Sequence, residues 1–111
     1  MKTVIIVPAY NEDQNLINLI KKINQSINAL IIIIDDSQNF KTKNLFKKKK
    51  KNVLYFHRGE KLGRGSAVIY GLKKALKIKN FLHFIEMDAD MSHRPSELKK
   101  NIKIFDKKYL D

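Results

Sequence analysis

Two unbroken apolar runs constrain this chain more than any other feature: TVIIV at residues 3–7 and ALIIII at residues 29–34. Neither alternates apolar with polar residues, so a strand made from either buries both faces, as a central parallel strand does between two layers of helices. Pro8 closes the first run, and Asp35 with Asp36 closes the second. Between them the period changes. Leu16, Leu19, Ile20, Ile23 and Ile27 recur at helical spacing, Asn11 is placed to cap the start, and Glu12 and Asp13 suit the positive end of the helix dipole. Residues 42–51 predict a weaker, very basic helix and residues 53–57 a third strand. The glycine-rich stretch RGEKLGRGSA, residues 58–67, leads into a helix reaching about Lys77, with Ala67, Tyr70, Leu72 and Ala75 as core positions. Residues 81–87 predict a fourth strand, and Pro95 opens a last helix with Leu98, Ile102 and Phe105 on one side.

Strands alternating with helices predict a mostly parallel sheet joined by right-handed crossovers. Ligands of such sheets bind outside the carboxyl ends of the strands, near the point where strand order reverses. The polar residues of this chain collect at those ends. Tyr10, Asn11 and Glu12 follow the first strand, Asp35 and Asp36 the second, residues 58–65 the third, and Asp88 and Asp90 the fourth. Four loops at one sheet edge can therefore converge on one ligand.

At 111 residues the chain forms one domain, long enough for a single core but short for an enzyme that must hold two substrates. It has no cysteine, which excludes disulfides and thiolate metal sites. No apolar run approaches the roughly 20 residues that span a bilayer. The opening MKTVIIVPAYNE turns polar too early for a signal peptide, so a cytoplasmic chain is expected. The formal charge of +12 is unevenly placed: residues 1–36 carry three cations and four anions, residues 86–111 six of each, and the excess lies in 41–79. Lysine supplies 20 of the 23 cations, whereas readers of base edges and phosphate lean on arginine as well. That argues against a nucleic-acid partner. FKKKKK, residues 46–51, reads as a solvated face, with contact to anionic lipid at the cytoplasmic side of a membrane as its functional reading.

The short motifs each carry two readings. Asp88 and Asp90, separated by the small Ala89, form a DxD pair that can aim at one Mg2+ or Mn2+ ion, or simply make an acidic turn. PAYNE, residues 8–12, is either a capped helix start or a place where Tyr10 stacks on a base and Glu12 accepts from a nucleoside. Asp35 and Asp36 are a turn or a pair of base and ribose acceptors. In KLGRGSA, residues 61–67, the glycines admit a close backbone approach while Lys61 and Arg64 offer charge to phosphate; the alternative is a flexible connection, and no GK[ST] makes it a Walker loop. His93 either reaches metal or phosphate or, as a lone histidine in a polar turn more often is, stands exposed.

PAYNE, IIIIDDS, KLGRGSA and FIEMDADMSHRP, in that order and spacing, resemble the family 2 glycosyltransferases, most closely the dolichyl-phosphate (polyprenyl-phosphate) mannosyltransferase branch, over nearly the whole chain. The resemblance implies a truncated GT-A fold, a Rossmann-like three-layer α/β/α sandwich with a mostly parallel sheet. It implies a nucleotide diphosphate sugar as donor, GDP-mannose or a UDP-hexose, with Mg2+ or Mn2+. By position Pro8, Tyr10 and Glu12 hold the nucleoside, and Ile34 and Asp36 line its pocket. Asp88, Ala89 and Asp90 meet the diphosphate and metal, with Asp88 and Asp90 as ligands, Asp90 as the catalytic position and Ser92 as a further neighbour. The implied reaction is inverting transfer of a hexose to a polyprenyl phosphate. Where the family usually has glycine after the paired acids, this chain has Ser37 and Gln38, and it stops at FDKKYLD, about where relatives begin their next strand. The resemblance therefore implies that residues 1–111 are the donor-binding half of a catalytic domain, with a partner chain as one source of the other half. Two alternatives accompany this reading: a noncatalytic nucleotide-sugar-binding fragment or split-gene remnant, and a haloacid-dehalogenase-like phosphatase with Asp88 as nucleophile.

Overall fold

The structure, a computed structural model, describes residues 1–89. Strands β1 (Thr3–Ala9), β2 (Ala29–Asp35), β3 (Val53–His57) and β4 (His83–Glu86) form one sheet in the order β3-β2-β1-β4, and every pairing is parallel. Helices α1 (Asp13–Ser26), α2 (Lys41–Leu45) and α3 (Arg64–Ile78) make the connections. The chain adds strands outward from β1 to β3, then crosses back to place β4 on the other side of β1. Strand order thus reverses between β1 and β4.

Alternation of side chains along the strands divides the isoleucine runs between two cores. Ile5, Val7, Ile31 and Ile33 pack with Leu16, Leu19, Ile20 and Ile23 of α1, whereas Val4, Ile6, Ile32 and Ile34 pack with Ala67, Leu72 and Ala75 of α3. The result is the three-layer α/β/α arrangement expected from the uninterrupted runs. Ile31, Ile32, Ile33 and Ile34 are all at 0% exposure, and burying each contributes about 1.5–3 kcal/mol, so β2 is the strand that most strongly fixes the sheet. On the other face a Cβ at Gly71 would stand 2.6 Å from Ile6 Cγ2 and 3.4 Å from Ile34 Cγ1. Glycine there lets α3 close onto β1 and β2, at a helix-propensity cost of about 1 kcal/mol.

Several boundaries differ from expectation for identifiable reasons. β1 continues through Pro8, which lies in register with Ile34. Ile6 O accepts from Met87 N, so Ile6 and, two residues on, Pro8 turn their backbone groups toward β4, beyond that strand's last paired residue; no ladder bond is lost. The basic helix predicted over 42–51 ends at Leu45, because the lysines that follow offer no apolar residue to bury and repel one another. Phe46 instead stacks on Tyr55 with centroids 4.9 Å apart. Asn11 does not cap α1. It adopts φ 57, a left-handed conformation that asparagine tolerates, and Glu12 takes the capping position without a side-chain bond to the helix backbone. β4 is shorter than residues 81–87, although Phe81 and Met87 are buried on either side of it. The predicted last helix lies outside the described residues.

Candidate functional site

A cleft of about 260 Å³ opens at the carboxyl edge of the sheet, lined by Pro8, Ala9, Tyr10 and Glu12 from β1 and its loop, Asp36 after β2, and Asp88 and Ala89 after β4. Lys61, Gly63, Arg64 and Ala67, from the glycine-rich loop and the start of α3, complete it. It sits where strand order reverses, the place where open α/β sheets bind ligands. Four of the sequence motifs therefore meet in one cavity. Ile34 is not among the lining residues; its side chain is fully buried under α3, so its position supports the floor beneath Asp36. Asp90, Ser92 and His93 lie outside the described residues.

The loops that form the cleft are tied by polar side chains. Asn11 N–H donates to Ser37 Oγ at 2.7 Å, and Asn39 Nδ2 donates to Asn11 Oδ1 at 3.1 Å, joining the β1 and β2 loops. Thr42 Oγ1 donates to Asp13 Oδ1 at 2.6 Å and fixes the start of α1 against α2. Tyr10 is exposed at the rim with the Lys61 ammonium 5.1 Å from its ring centroid, and Glu12 Oε2 accepts from Asn15 Nδ2 at 3.1 Å.

The paired acids divide their tasks. Asp35 is fully buried, and its Oδ1 accepts from Ser37 N–H at 2.9 Å and Ser37 Oγ at 2.6 Å, while its Oδ2 accepts from the Tyr55 hydroxyl and lies 3.6 Å from His57 Nδ1. Of the two readings left open for it, the structural one applies: its oxygens hold the loop. Ser37, standing where the family usually has glycine, supplies both halves of that tie. Asp36 instead turns toward the cleft and forms a two-pronged pair with Arg58, whose Nε and Nη2 donate to its two oxygens at 2.6 and 2.7 Å. Leu62 N–H adds a third bond at 3.3 Å, and Arg58 Nη1 reaches Ser66 Oγ at 2.9 Å, so one guanidinium anchors the glycine-rich loop to β2. The hydrogen bond to Asp36 raises the Arg58 pKa further, keeping it cationic. Sequence reasoning did not single out Arg58; the available signal was a lone arginine closing the third strand opposite two acids closing the second.

Lys61 and Arg64 were both expected to offer charge to phosphate, and both line the cleft. Arg64 is already engaged: its Nε and Nη2 lie 2.6 and 2.5 Å from Glu86 Oε1, and its Nη1 lies 2.5 Å from Asp88 Oδ1. Burial alone would lower the Arg64 pKa, but the bonds to Glu86 and Asp88 outweigh it and raise the pKa.

Burial first, then the bond to Asp35 and its negative charge, push the Tyr55 phenol well above its ordinary range. An acid with a raised folded pKa keeps a proton that the unfolded chain releases above about pH 10, so this contribution to stability is present below that pH and is lost as pH rises. Between about pH 10 and 12 the urea midpoint of the wild type should therefore fall more steeply than that of Tyr55→Phe, followed by circular dichroism. Parallel slopes would mean that the phenol titrates normally.

An all-parallel sheet covered on both faces, with an acid-bearing cleft at the reversal of strand order, defines a doubly wound α/β protein, and its likeness to a solved glycosyltransferase makes the fold GT-A. A mannosyltransferase from Pyrobaculum calidifontis, solved in complex with GDP-Man and Mn2+, shares this fold with a TM-score of 0.64 at 16% identity, over 90% of this chain and 30% of that one. The model of the glycosyl transferase family 2 matches residues 4–111, and the chain belongs to that family. A dolichol-phosphate mannosyltransferase of Pyrococcus furiosus is 36% identical over 107 residues, 92% of this chain and 29% of the relative. A polyprenol monophosphomannose synthase of Mycolicibacterium smegmatis is 31% identical over 104 residues, covering 89% and 39%. An uncharacterized protein of Methanocaldococcus jannaschii is 30% identical over 104 residues, covering 90% and 45%. The chain thus spans less than half the length of these curated relatives.

Proposed function

We propose that this chain carries the donor site of a glycosyltransferase that moves a hexose, mannose from GDP-mannose in the first instance, to a polyprenyl phosphate with inversion. The observation that carries the reading is the cleft itself, which gathers Pro8, Tyr10, Glu12, Asp36, Asp88 and Ala89. Tyr10 offers a ring face for a base at the rim, Glu12 offers a carboxylate acceptor for nucleoside N–H and O–H groups, Asp36 lines the wall in its pair with Arg58, and Lys61 stands near for phosphate. The similarity to a dolichol-phosphate mannosyltransferase and a polyprenol monophosphomannose synthase supports the choice of sugar and acceptor.

A divalent cation fits the donor chemistry. Mg2+ and Mn2+ take hard oxygen ligands, commonly one or two carboxylates completed by substrate phosphates and water. Among the described residues Asp88 presents a partly exposed carboxylate to the cleft, and with Asp90, the second acid of the DxD pair, it would hold the ion. When bound, the ion supplies Lewis-acid stabilisation to the departing diphosphate. An acceptor phosphate is ionised at neutral pH, so no protein base is required to activate it. The phosphatase alternative falls with the family match.

Calorimetric titration of the 111-residue chain with GDP-mannose and with UDP-glucose, each with and without Mn2+, tests the reading. GDP-mannose should bind at least about tenfold more tightly with the metal, the scale of one lost or gained charge-assisted contact. Binding of neither nucleotide sugar, or binding indifferent to Mn2+, would overturn it. Transfer to a polyprenyl phosphate, assayed on the same chain, separates a competent enzyme from a binding module.

A further inference from the structure

We propose that the lysine-rich face beside β3 docks on an anionic lipid surface. Lys41, Lys43 and the five lysines at 47–51 put seven cations in eleven residues, and no acid occurs between Asp36 and Glu60. None of the seven forms an ion pair among the described residues, and all but the half-buried Lys50 are exposed. The segment nonetheless has a fixed course. Phe40 stacks on His57 with centroids 5.4 Å apart, Phe46 stacks on Tyr55, and Val53 N–H donates to Lys50 O at 3.3 Å. Residues 40–50 are thereby pinned along the length of β3, the outer strand, from its carboxyl end to its amino end.

Charge complementarity selects the occupant. Lysine ammonium groups are hydrated point charges suited to a diffuse negative surface, and the segment holds no arginine fork for phosphate or base edges. Phe40, just before the first cation, and Leu45, between Lys43 and Lys47, are 59% and 40% exposed, side chains that water disfavours and a headgroup boundary accepts. A shallow groove of about 220 Å³ floored by Phe46, Val53, Leu54 and Tyr55 is walled by residues 47–50, giving acidic headgroups a recess among the lysines. None of these residues lines the cleft at the carboxyl edge, so the inference stands apart from the donor site.

The test is co-sedimentation of the chain with phosphatidylcholine vesicles with and without phosphatidylserine, over a range of salt. Binding should require phosphatidylserine and fall as salt rises. Each lysine at such a surface is worth roughly fivefold in partitioning, so replacing Lys47, Lys48, Lys49 and Lys51 by Gln should weaken binding by at least about a hundredfold. A second variant, with Lys21, Lys22, Lys73 and Lys77 replaced by Gln, carries the same net charge and should keep most of the binding. Equal loss in the two variants would make the effect one of total charge and overturn the proposal, as would equal binding to neutral vesicles. Duplex DNA that displaces the chain from vesicles and binds it more tightly, with the same sensitivity to the first variant, would assign the face to nucleic acid and overturn it too.

Discussion

Arg58→Met should destabilise the fold by about 3–5 kcal/mol, measured by urea denaturation, because it leaves a buried carboxylate without its partner. The side chains of Arg58 and Asp36 are 9% and 7% exposed, so water cannot take over when the guanidinium is removed. Methionine keeps much of the stem's packing, and the loss therefore reports charge and hydrogen bonding rather than a cavity. Asp36→Asn added to Arg58→Met should recover a large part of the stability, since no unpaired charge is then buried; a double variant as unstable as Arg58→Met alone would show that packing dominates. The change also reaches the cleft. Arg58 bridges Asp36 to Ser66 and lies 3.5 Å from Gly63 O, so its loss releases the glycine-rich loop from β2. Against a total stability of about 5–15 kcal/mol for a domain of this kind, one side chain then decides whether the cleft persists.

That dependence marks where sequence reasoning reached and where it stopped. The isoleucine runs could be nothing but buried strands, and the helical spacing of Leu16, Leu19, Ile20 and Ile23 identified the face that covers them, because burial is proportional to apolar area and indifferent to detail. The convergence of loops also followed from the chain alone, as parallel strands must place their carboxyl ends on one edge. Partner choice among polar groups did not follow. Asp35 and Asp36 are adjacent and chemically identical, yet one is consumed by Ser37 and Tyr55 and the other faces the cleft with Arg58; strand alternation and distances of a few ångströms decide between them. Asn11 likewise had the composition of a helix cap, but the hydroxyl of Ser37, 26 residues away, offered its N–H a buried acceptor. The lysine run predicted a helix from local propensity, and the stacking of Phe46 on Tyr55 drew the chain out of it.

The largest functional effect should come from Asp88→Asn. Asparagine keeps the size of the side chain but removes the charge that binds a cation, so the gain of about tenfold or more that Mn2+ brings to GDP-mannose affinity should be lost, while the urea midpoint stays near that of the wild type. Unchanged metal dependence would remove Asp88 from the site. Arg64 makes the expectation sharper. Its guanidinium lies 2.5 Å from Asp88 Oδ1, so a cation bound there would compete with a positive charge for the same carboxylate. Arg64 also holds Glu86 at 2.5 Å, and can therefore let go of Asp88 without losing all its carboxylate partners in a partly buried position. Arg64→Gln should accordingly strengthen Mn2+ binding in the absence of nucleotide by roughly fivefold, the worth of one partly exposed ion pair of about 1 kcal/mol. Arg64→Gln should at the same time weaken the added affinity that the diphosphate brings, because a guanidinium released from Asp88 would be available, with Lys61, to a phosphate oxygen in the cleft. Opposite signs for the two measurements distinguish a residue that exchanges partners on binding from one that only repels the ion.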